Sequence, residues 1–272
     1  MAKPKILYVS EEIYPYLKKS HIGEIGRYLP QYVQEHKKEI RVFLPRFGNI
    51  NERRNQLHEV IRLSGMNLII NDIDHPLIIK VASIQLARMQ VYFIDNEDYF
   101  QRKFVFRDAA GKFFSDNDER AIFYARGILE TVKKLRWAPD IVHIHGWFGS
   151  LVPIYLKKIF SDNPLFNEAK VVVSLYNDGF KEKLSKKFLE NLQIEGLKKE
   201  ELGHYNENNF VGMMKSAIDY SDAIIIGDED VNPELKAYAE ASGKPVLQYV
   251  GLDEYMEAYN KFYDELLGNK ED

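Results

Sequence analysis

The 272-residue sequence contains no cysteine, which excludes disulfide bonds and thiolate metal ligands. It has no apolar run approaching the roughly 20 residues of a membrane-spanning helix, and its basic N-terminus is not followed by the apolar core of a signal peptide. It also lacks an excess of positive charge, since a net charge of −4 and a pI near 6.0 argue against nucleic acid as the main partner. We therefore expect a cytoplasmic protein without a membrane or nucleic-acid partner.

Apolar residues make up 45% of the chain, enough for a large core without covalent or metal support. Aromatic residues make up 13%, a share that suits stacking on sugars as well as the commoner role of ordinary core packing. No internal repeat or low-complexity tract interrupts the sequence. We predict one domain over residues 1–267 and a frayed tail over 268–272.

Apolar, β-branched runs alternate with helical patterns along the chain. The predicted strands are Ile6–Val9, Arg41–Leu44, Ile78–Ile84, Val91–Ile94, Ile141–Ile144, Val171–Tyr176, Ala223–Ile226 and Val246–Val250. The predicted helices are Glu24–Glu35, Glu119–Leu135, Leu151–Phe160, Phe210–Tyr220, Pro233–Ser242 and Leu252–Leu267. Continuous apolar strands are typical of parallel sheets covered on both faces, so we predict an α/β, Rossmann-like, doubly wound, mostly parallel sheet. The polar residues 181–209 are predicted to form a surface excursion with short helices.

The loop between the first strand and the first helix is a candidate phosphate site. Lys18 and Gly23 lie there, where helix N–H groups and a lysine ammonium can receive a diphosphate. The alternative is a solvated basic turn. Because no complete glycine fingerprint is present, an unrelated nucleotide-binding α/β enzyme is disfavoured.

Three further segments carry candidate polar residues. Ser115, Asp116 or Asn117 can cap the long helix that follows them. His143 and His145 end a strand on one face, at the edge where α/β sheets bind ligands, but no third ligand with suitable spacing follows, so we expect no metal site. Asn177 begins an ordinary turn.

These segments resemble the N-terminal domain of bacterial glycogen synthases and plant starch synthases, which are glycosyltransferases of the two-lobed GT-B fold. The resemblance spans essentially the whole chain. The similar stretches are KKSHIGEI at 18–25 with Leu29-Pro30, the run from Asp95-Asn96 through Tyr99-Phe100 and Arg102 to Asp116-Asn117 and Arg120, HIHGW at 143–147, and residues 220–240. The resemblance implies a single lobe of the GT-B N-terminal type.

The resemblance also implies a function. It implies transfer of glucose from ADP-glucose or UDP-glucose to the non-reducing end of an α-1,4-glucan, with retention and without a metal or other cofactor. On this basis Lys18 and Gly23 are candidate donor-phosphate residues. The candidate glucan or acceptor pocket consists of Asp116, Asn117, Arg120, His143, His145, Trp147 and Asn177.

The chain departs from the family pattern at four positions. Ser20 and His21 stand at a glycine pair, Gly146 at an aspartate, and Phe148 at a histidine that contributes to the family's donor-sugar site. A phenyl ring can neither donate a hydrogen bond nor titrate, so we favour His143 and His145 as core-edge residues with hydrogen-bonded partners.

The expected activity also depends on a second domain. In the family, that domain makes most of the contacts with the nucleotide. This chain ends about where that domain would start. We therefore expect the chain to be inactive alone, or to depend on a separate chain that supplies the second lobe. The alternative function is a non-catalytic glucan-binding or regulatory protein.

Overall fold

The structure, a computed structural model, describes residues 3–268, and ten strands within that range form its central sheet. The strands are β1 (Lys5–Ser10), β2 (Glu39–Pro45), β3 (His58–Glu59), β4 (Met66–Ile70), β5 (Ile73–Ile84), β6 (Met89–Asp95), β7 (Ile141–His145), β8 (Lys170–Leu175), β9 (Ala223–Ile226) and β10 (Val246–Leu247). The eight predicted strands all appear, with boundaries moved by a few residues. The predicted tail residues 269–272 lie outside the described residues.

The strand order is β10-β9-β8-β7-β1-β2-β6-β5-β3, with β4 paired to β5. From β10 to β6 every neighbouring pair is parallel, and β5 joins β6 in antiparallel fashion. The chain starts at β1, winds outward through β2 and β6, and then returns to β7 on the other side of β1. The predicted mostly parallel, doubly wound α/β sheet is confirmed, and its winding reverses between β1 and β7.

Eight helices within the described range cover the sheet. They are α1 (His21–Glu35), α2 (Glu97–Phe100), α3 (Asn117–Leu135), α4 (Val152–Ile154, continued by a π-helical turn Tyr155–Ile159), α5 (Phe188–Ile194), α6 (Phe210–Asp219), α7 (Pro233–Ala241) and α8 (Tyr255–Leu266). All six predicted helices are present. Within residues 3–268, no helix has the length and apolar character that a bilayer crossing requires.

Helices on both faces bury the central strands. On one face, Tyr8 of β1 and His143 of β7 lie beneath Tyr263 of α8. On the other face, the hydroxyl of Tyr124 in α3 donates to the carbonyl oxygens of Ser10 and Phe43. Every residue of β7 is buried, as expected for a strand that helices cover on both faces of the sheet.

Two features differ from the expectation. The antiparallel hairpin of β4 and β5 was not predicted, although Asn71 and Asp72, both with positive φ, form the two-residue turn typical of such hairpins. Residues 181–209 do form short helices, but several side chains of this segment are buried rather than on the surface. Phe188, Leu192 and Tyr205 are buried, and the Tyr205 hydroxyl donates to the carbonyl oxygen of Ser150.

Candidate functional site

A cavity of about 290 Å³ opens at the carboxyl edge of the sheet, next to the reversal between β1 and β7. Residues within three positions of the ends of four strands form much of its wall. They are Glu11 and Glu12 after β1, Trp147 after β7, Asp178 after β8 and Asp228 after β9. The position is the one at which open α/β sheets bind ligands, because the winding leaves a crevice there.

The start of α1 closes one side of this cavity. The Ser20 hydroxyl accepts from the Gly23 backbone N–H at 3.0 Å and donates to a carboxylate oxygen of Glu12. A Cβ on Gly23 would lie 2.8 Å from Ser20 Oγ, so glycine makes room for this cap. His21 Nε2 lies 2.7 Å from the carbonyl oxygen of Gly227. The helix N-terminus therefore already holds a serine cap and a carboxylate, at the place where a phosphate would bind.

Lys18 points away from these groups. Its side chain is exposed, does not line the cavity, and makes no hydrogen bond or ion pair with residues 3–268. The neighbouring Lys19 pairs with Glu24 at 3.0 Å. The donor-phosphate role of Lys18 and Gly23 stays a prediction.

Two acidic side chains, the buried Glu11 and the half-buried Asp178, form part of the cavity wall. Successive backbone N–H groups hold them, with Trp147 donating to Asp178 Oδ2 and Phe148 donating to Glu11 Oε2, each at 2.9 Å. Burial and the Asp178 carboxylate raise the pKa of Glu11 well above its usual range, and burial raises the pKa of Asp178 to about 7. Both shifts favour a protonated carboxyl group in this pair at neutral pH.

Gly146 makes this arrangement possible. Its φ is +88°, and a Cβ on it would lie 2.3 Å from Cδ of Glu11. The Glu11 carboxyl group thus occupies the space that a side chain at position 146 would need. Phe148, two residues after Gly146, is fully buried. Its ring stacks on that of Tyr124, with the ring centroids 5.5 Å apart, and does not line the cavity.

The two histidines of β7 lie beneath the cavity rather than in its wall. His143 Nδ1 is 2.5 Å from the Tyr263 hydroxyl and its Nε2 is 2.7 Å from Ser174 Oγ. His145 Nδ1 is 2.7 Å from the Tyr176 hydroxyl. Burial lowers the pKa of His143 well below its usual range and that of His145 to about 3, so both rings are neutral. In the range 3–268, no group of three or more His, Asp or Glu side chains is arranged to hold a metal ion.

The predicted residues at the start of α3 hold the neighbouring segment of residues 99–106 in place. Asp116 forms a two-pronged ion pair with Arg102. Arg120 is fully buried and donates to the carbonyl oxygens of Tyr99 and Val105, each at 2.8 Å, and burial lowers its pKa to about 9.

Asn117 also binds this segment, and it does not line the cavity. Its side-chain amide donates to the Phe106 carbonyl at 2.9 Å. Neither Asn117, Asp116 nor Arg120 lines the cavity, but Phe106, whose backbone Asn117 fixes, does. Their structural effect on the cavity is therefore indirect.

Two of the predicted pocket residues do line the cavity. Trp147 packs between the rings of Phe106 and Phe180, at centroid distances of 4.9 and 4.8 Å. Asn177 is exposed at the mouth, and its backbone N–H lies 3.4 Å from Asp228 Oδ2. The structure thus brings Trp147 and Asn177 together and leaves the other predicted residues outside the wall.

Comparison with known proteins identifies the family. The model of the starch synthase catalytic domain matches residues 5–248. The chain belongs to this family. The glycogen synthase of Pelodictyon phaeoclathratiforme is 30% identical over 266 residues, which cover 97% of this chain and 52% of that protein. The glycogen synthase of Chlorobium limicola is 37% identical over 174 residues, covering 64% of this chain and 36% of that protein.

A solved structure supports the fold of this starch synthase domain. The catalytic domain of starch synthase IV from Arabidopsis thaliana, bound to ADP and acarbose, superposes with a TM-score of 0.74 over 93% of this chain and 52% of that chain. At 16% identity this similarity concerns the fold alone. The predicted resemblance to glycogen and starch synthases is confirmed. The chain spans about half the length of a relative that matches nearly all of it.

The acidic wall of the cavity was not predicted. Glu11, Glu12, Asp178 and Asp228 each lie within three residues of the end of an apolar strand, at the same edge of the sheet as His145. Asp178 stands in the turn predicted to begin at Asn177, and nothing local distinguishes a turn aspartate from one that faces a cavity.

Replacing Gly146 with alanine tests the close approach of Glu11. We expect Gly146→Ala to lower the free energy of unfolding by about 3 kcal/mol, because the methyl group collides with the carboxyl group and the positive φ is strained. Urea denaturation measures the loss. The control is Gly111→Ala, where φ is +81° but nothing lies within 4 Å of the added Cβ, and there we expect about 1 kcal/mol. Equal losses in the two variants would contradict the proposed collision.

The raised pKa of Asp178 predicts a pH dependence of stability. The folded-state pKa of Asp178 is raised, so its carboxyl group favours folding below its unfolded pKa, and this contribution is lost as pH rises through about 7. Between about pH 5 and pH 8, we expect the free energy of unfolding of the unaltered chain to fall relative to that of Asp178→Asn. Urea denaturation across this range measures the difference, with the exposed Asp162→Asn as control. Parallel pH curves for the unaltered chain and Asp178→Asn would show that the pKa of Asp178 is not raised in the folded chain.

Proposed function

We propose that this domain binds the glucan side of a glycogen or starch synthase-type reaction, and that it does not hold a nucleotide-glucose donor by itself. One observation carries the proposal. The cavity wall contains the carboxyl groups of Glu11, Glu12, Asp178 and Asp228, and among residues 3–268 no lysine or arginine lines it.

This charge pattern disfavours a diphosphate. A nucleotide-glucose carries its negative charges on two adjacent phosphates, and protein sites for such groups supply cations or free backbone N–H groups. Here the N–H groups of Trp147, Phe148 and Gly23 are already occupied by Asp178, Glu11 and Ser20 respectively. A donor phosphate would therefore meet carboxylates rather than cations, and like charges at short range repel.

The same wall suits an uncharged sugar. Glucan hydroxyl groups can donate to carboxylate oxygens, and the half-buried ring of Phe106 offers an apolar surface to the C–H face of a pyranose ring, beside the buried rings of Trp147 and Tyr176. The cavity volume of about 290 Å³ lies at the lower end of the range for ligand pockets, which fits the end of a glucan chain.

Glucosyl transfer then needs groups from outside residues 3–268. The family implies nucleotide-sugar and glucan substrates, and the leaving diphosphate of such a donor needs preorganised cations and dipoles. In our proposal a second lobe supplies them, on a partner chain or elsewhere in a longer polypeptide. We expect the 272-residue chain alone to transfer no glucose from ADP-glucose to glycogen, and measurable turnover would contradict this.

A non-catalytic glucan-binding or regulatory protein is the second candidate. The position of Phe148 favours it, because its ring stacks inside the core at the position where the family histidine contributes to the donor-sugar site. Both candidates share the glucan cavity. They differ in whether a second lobe restores transfer.

The two tryptophans of the chain allow a direct binding experiment. Trp147 lines the cavity and Trp137 does not, so Trp137→Phe leaves a single reporter at the site. We expect maltoheptaose to change Trp147 fluorescence in a saturable manner, and ADP-glucose and UDP-glucose to leave it unchanged. Saturable binding of either nucleotide-glucose, without binding of maltoheptaose, would overturn the proposal.

A pair of neighbouring aspartates locates the binding. Asp228 lines the cavity, whereas Asp230 is exposed nearby and does not. We expect Asp228→Ala to weaken maltoheptaose binding about tenfold through loss of a charge-assisted hydrogen bond, and Asp230→Ala to leave it unchanged. Equal effects of the two substitutions would place the glucan elsewhere.

A further inference from the structure

A second cavity, of about 420 Å³, lies at the opposite edge of the sheet. It is formed where β2 and β6 begin and where α1 ends, so it faces away from the carboxyl edge that carries the glucan cavity. Neither the family match nor the relatives assign a role to it. The two cavities have opposite charge.

The lining of this amino-edge cavity is basic. Its four cationic side chains are Lys3, Lys38, Arg41 and Arg88. One carboxylate, that of Glu39, also lines it, and Lys38 Nζ pairs with Asp264 at 2.8 Å. Four positive and two negative side chains therefore leave a net charge of +2 around the cavity. Lys3 and Arg88 are exposed and have no ion-pair partner among residues 3–268.

Two polar atoms of the lining residues lack partners. Arg41 Nη1 donates to the Tyr92 hydroxyl at 3.2 Å, but Arg41 Nε is buried without a hydrogen bond. The side-chain oxygen of Gln34 is likewise buried and unpaired. Buried polar groups are rarely left unsatisfied, and small rotations of these side chains would turn one donor and one acceptor toward a bound molecule.

The negative end of the α1 dipole does not cancel this charge. The carbonyl oxygen of Tyr32 accepts from the backbone N–H of His36, and that of Val33 accepts from the backbone N–H of Lys38. Since these terminal carbonyl groups are already paired, the cations remain the main electrostatic feature of the cavity.

We propose that the amino-edge cavity binds a hydroxylated phosphate monoester, the chemical class to which sugar phosphates belong. A phosphate monoester carries a charge of about −1.5 to −2 at pH 7, which matches the surplus positive charge of the cavity. Its phosphate oxygens accept from Arg41 and Arg88, and a hydroxyl group donates to the unpaired Gln34 oxygen. Arginine forks suit phosphate geometry.

The tryptophan near Arg41 reports on this cavity. The Arg41 guanidinium lies 5.6 Å from the ring centre of Trp137, so Trp147→Phe leaves a single reporter beside it. We expect glucose 6-phosphate to change Trp137 fluorescence saturably, inorganic phosphate to bind more weakly, and glucose to give no change. No saturable response to glucose 6-phosphate would overturn the proposal, as would equal binding of glucose. Inorganic phosphate that binds as tightly as the ester would refute the hydroxyl contact.

Two arginines with the same backbone conformation locate the ligand. Arg88 and Arg136 are both exposed and left-handed, with φ of 49° and 51°, but Arg136 does not line the cavity. We expect Arg88→Gln to weaken glucose 6-phosphate binding about tenfold, and Arg136→Gln to leave it unchanged.

A second variant and a second ligand complete the test. Lys3→Gln, at the other unpaired cation, is expected to weaken binding in the same direction. Maltoheptaose binding by Arg88→Gln, in the Trp137→Phe background, is expected to be unaffected because the glucan cavity lies at the opposite edge. Equal losses in Arg88→Gln and Arg136→Gln would show a nonspecific charge effect and overturn the proposal.

Discussion

An acidic pair, Glu11 and Asp178, holds the carboxyl edge of this domain together by accepting from two successive backbone N–H groups. It joins the end of β1 to the end of β8 through the backbone N–H groups of Trp147 and Phe148, which follow β7. The Glu11 carboxyl group fills the space that a side chain at position 146 would need, and the chain turns there with a positive φ. That turn sends the Phe148 ring into the core and leaves Trp147 in the cavity wall. The departures at Gly146 and Phe148 are therefore parts of one packing arrangement.

The two edges of the sheet are electrostatically opposite. At the carboxyl edge, acidic side chains and a capped helix N-terminus suit uncharged sugar hydroxyls rather than a diphosphate. At the amino edge, Arg41 and Arg88 belong to a basic lining that suits a phosphate monoester. A near-neutral net charge hides this separation, because the −4 of the whole chain sums over both edges.

Local pattern was sufficient for most of the secondary structure. Continuous apolar runs such as Ile141–Ile144 identified strands buried on both faces, and helical spacing identified α3 and α6. The hairpin of β4 and β5 was missed because its runs are short and Pro76 interrupts the second, which normally argues against a strand. The buried side chains of residues 181–209 were missed because a charged sequence masks a few apolar contacts to the core.

The sequence by itself determined the family, the α/β class and the edge of the sheet at which a site would form, because these follow from motif order and hydrophobic period. The tertiary structure alone decided which side chains reach that site. Arg120 and His143 look like binding residues in the sequence, but in the structure they form hydrogen bonds with neighbouring backbone and hydroxyl groups. Glu11 and Asp178 are 167 positions apart in the sequence but line the same cavity and accept from successive backbone N–H groups, an arrangement that no local pattern encodes. Long-range pairing of this kind depends on how the strands are ordered in the sheet, and that order exists only in the folded chain.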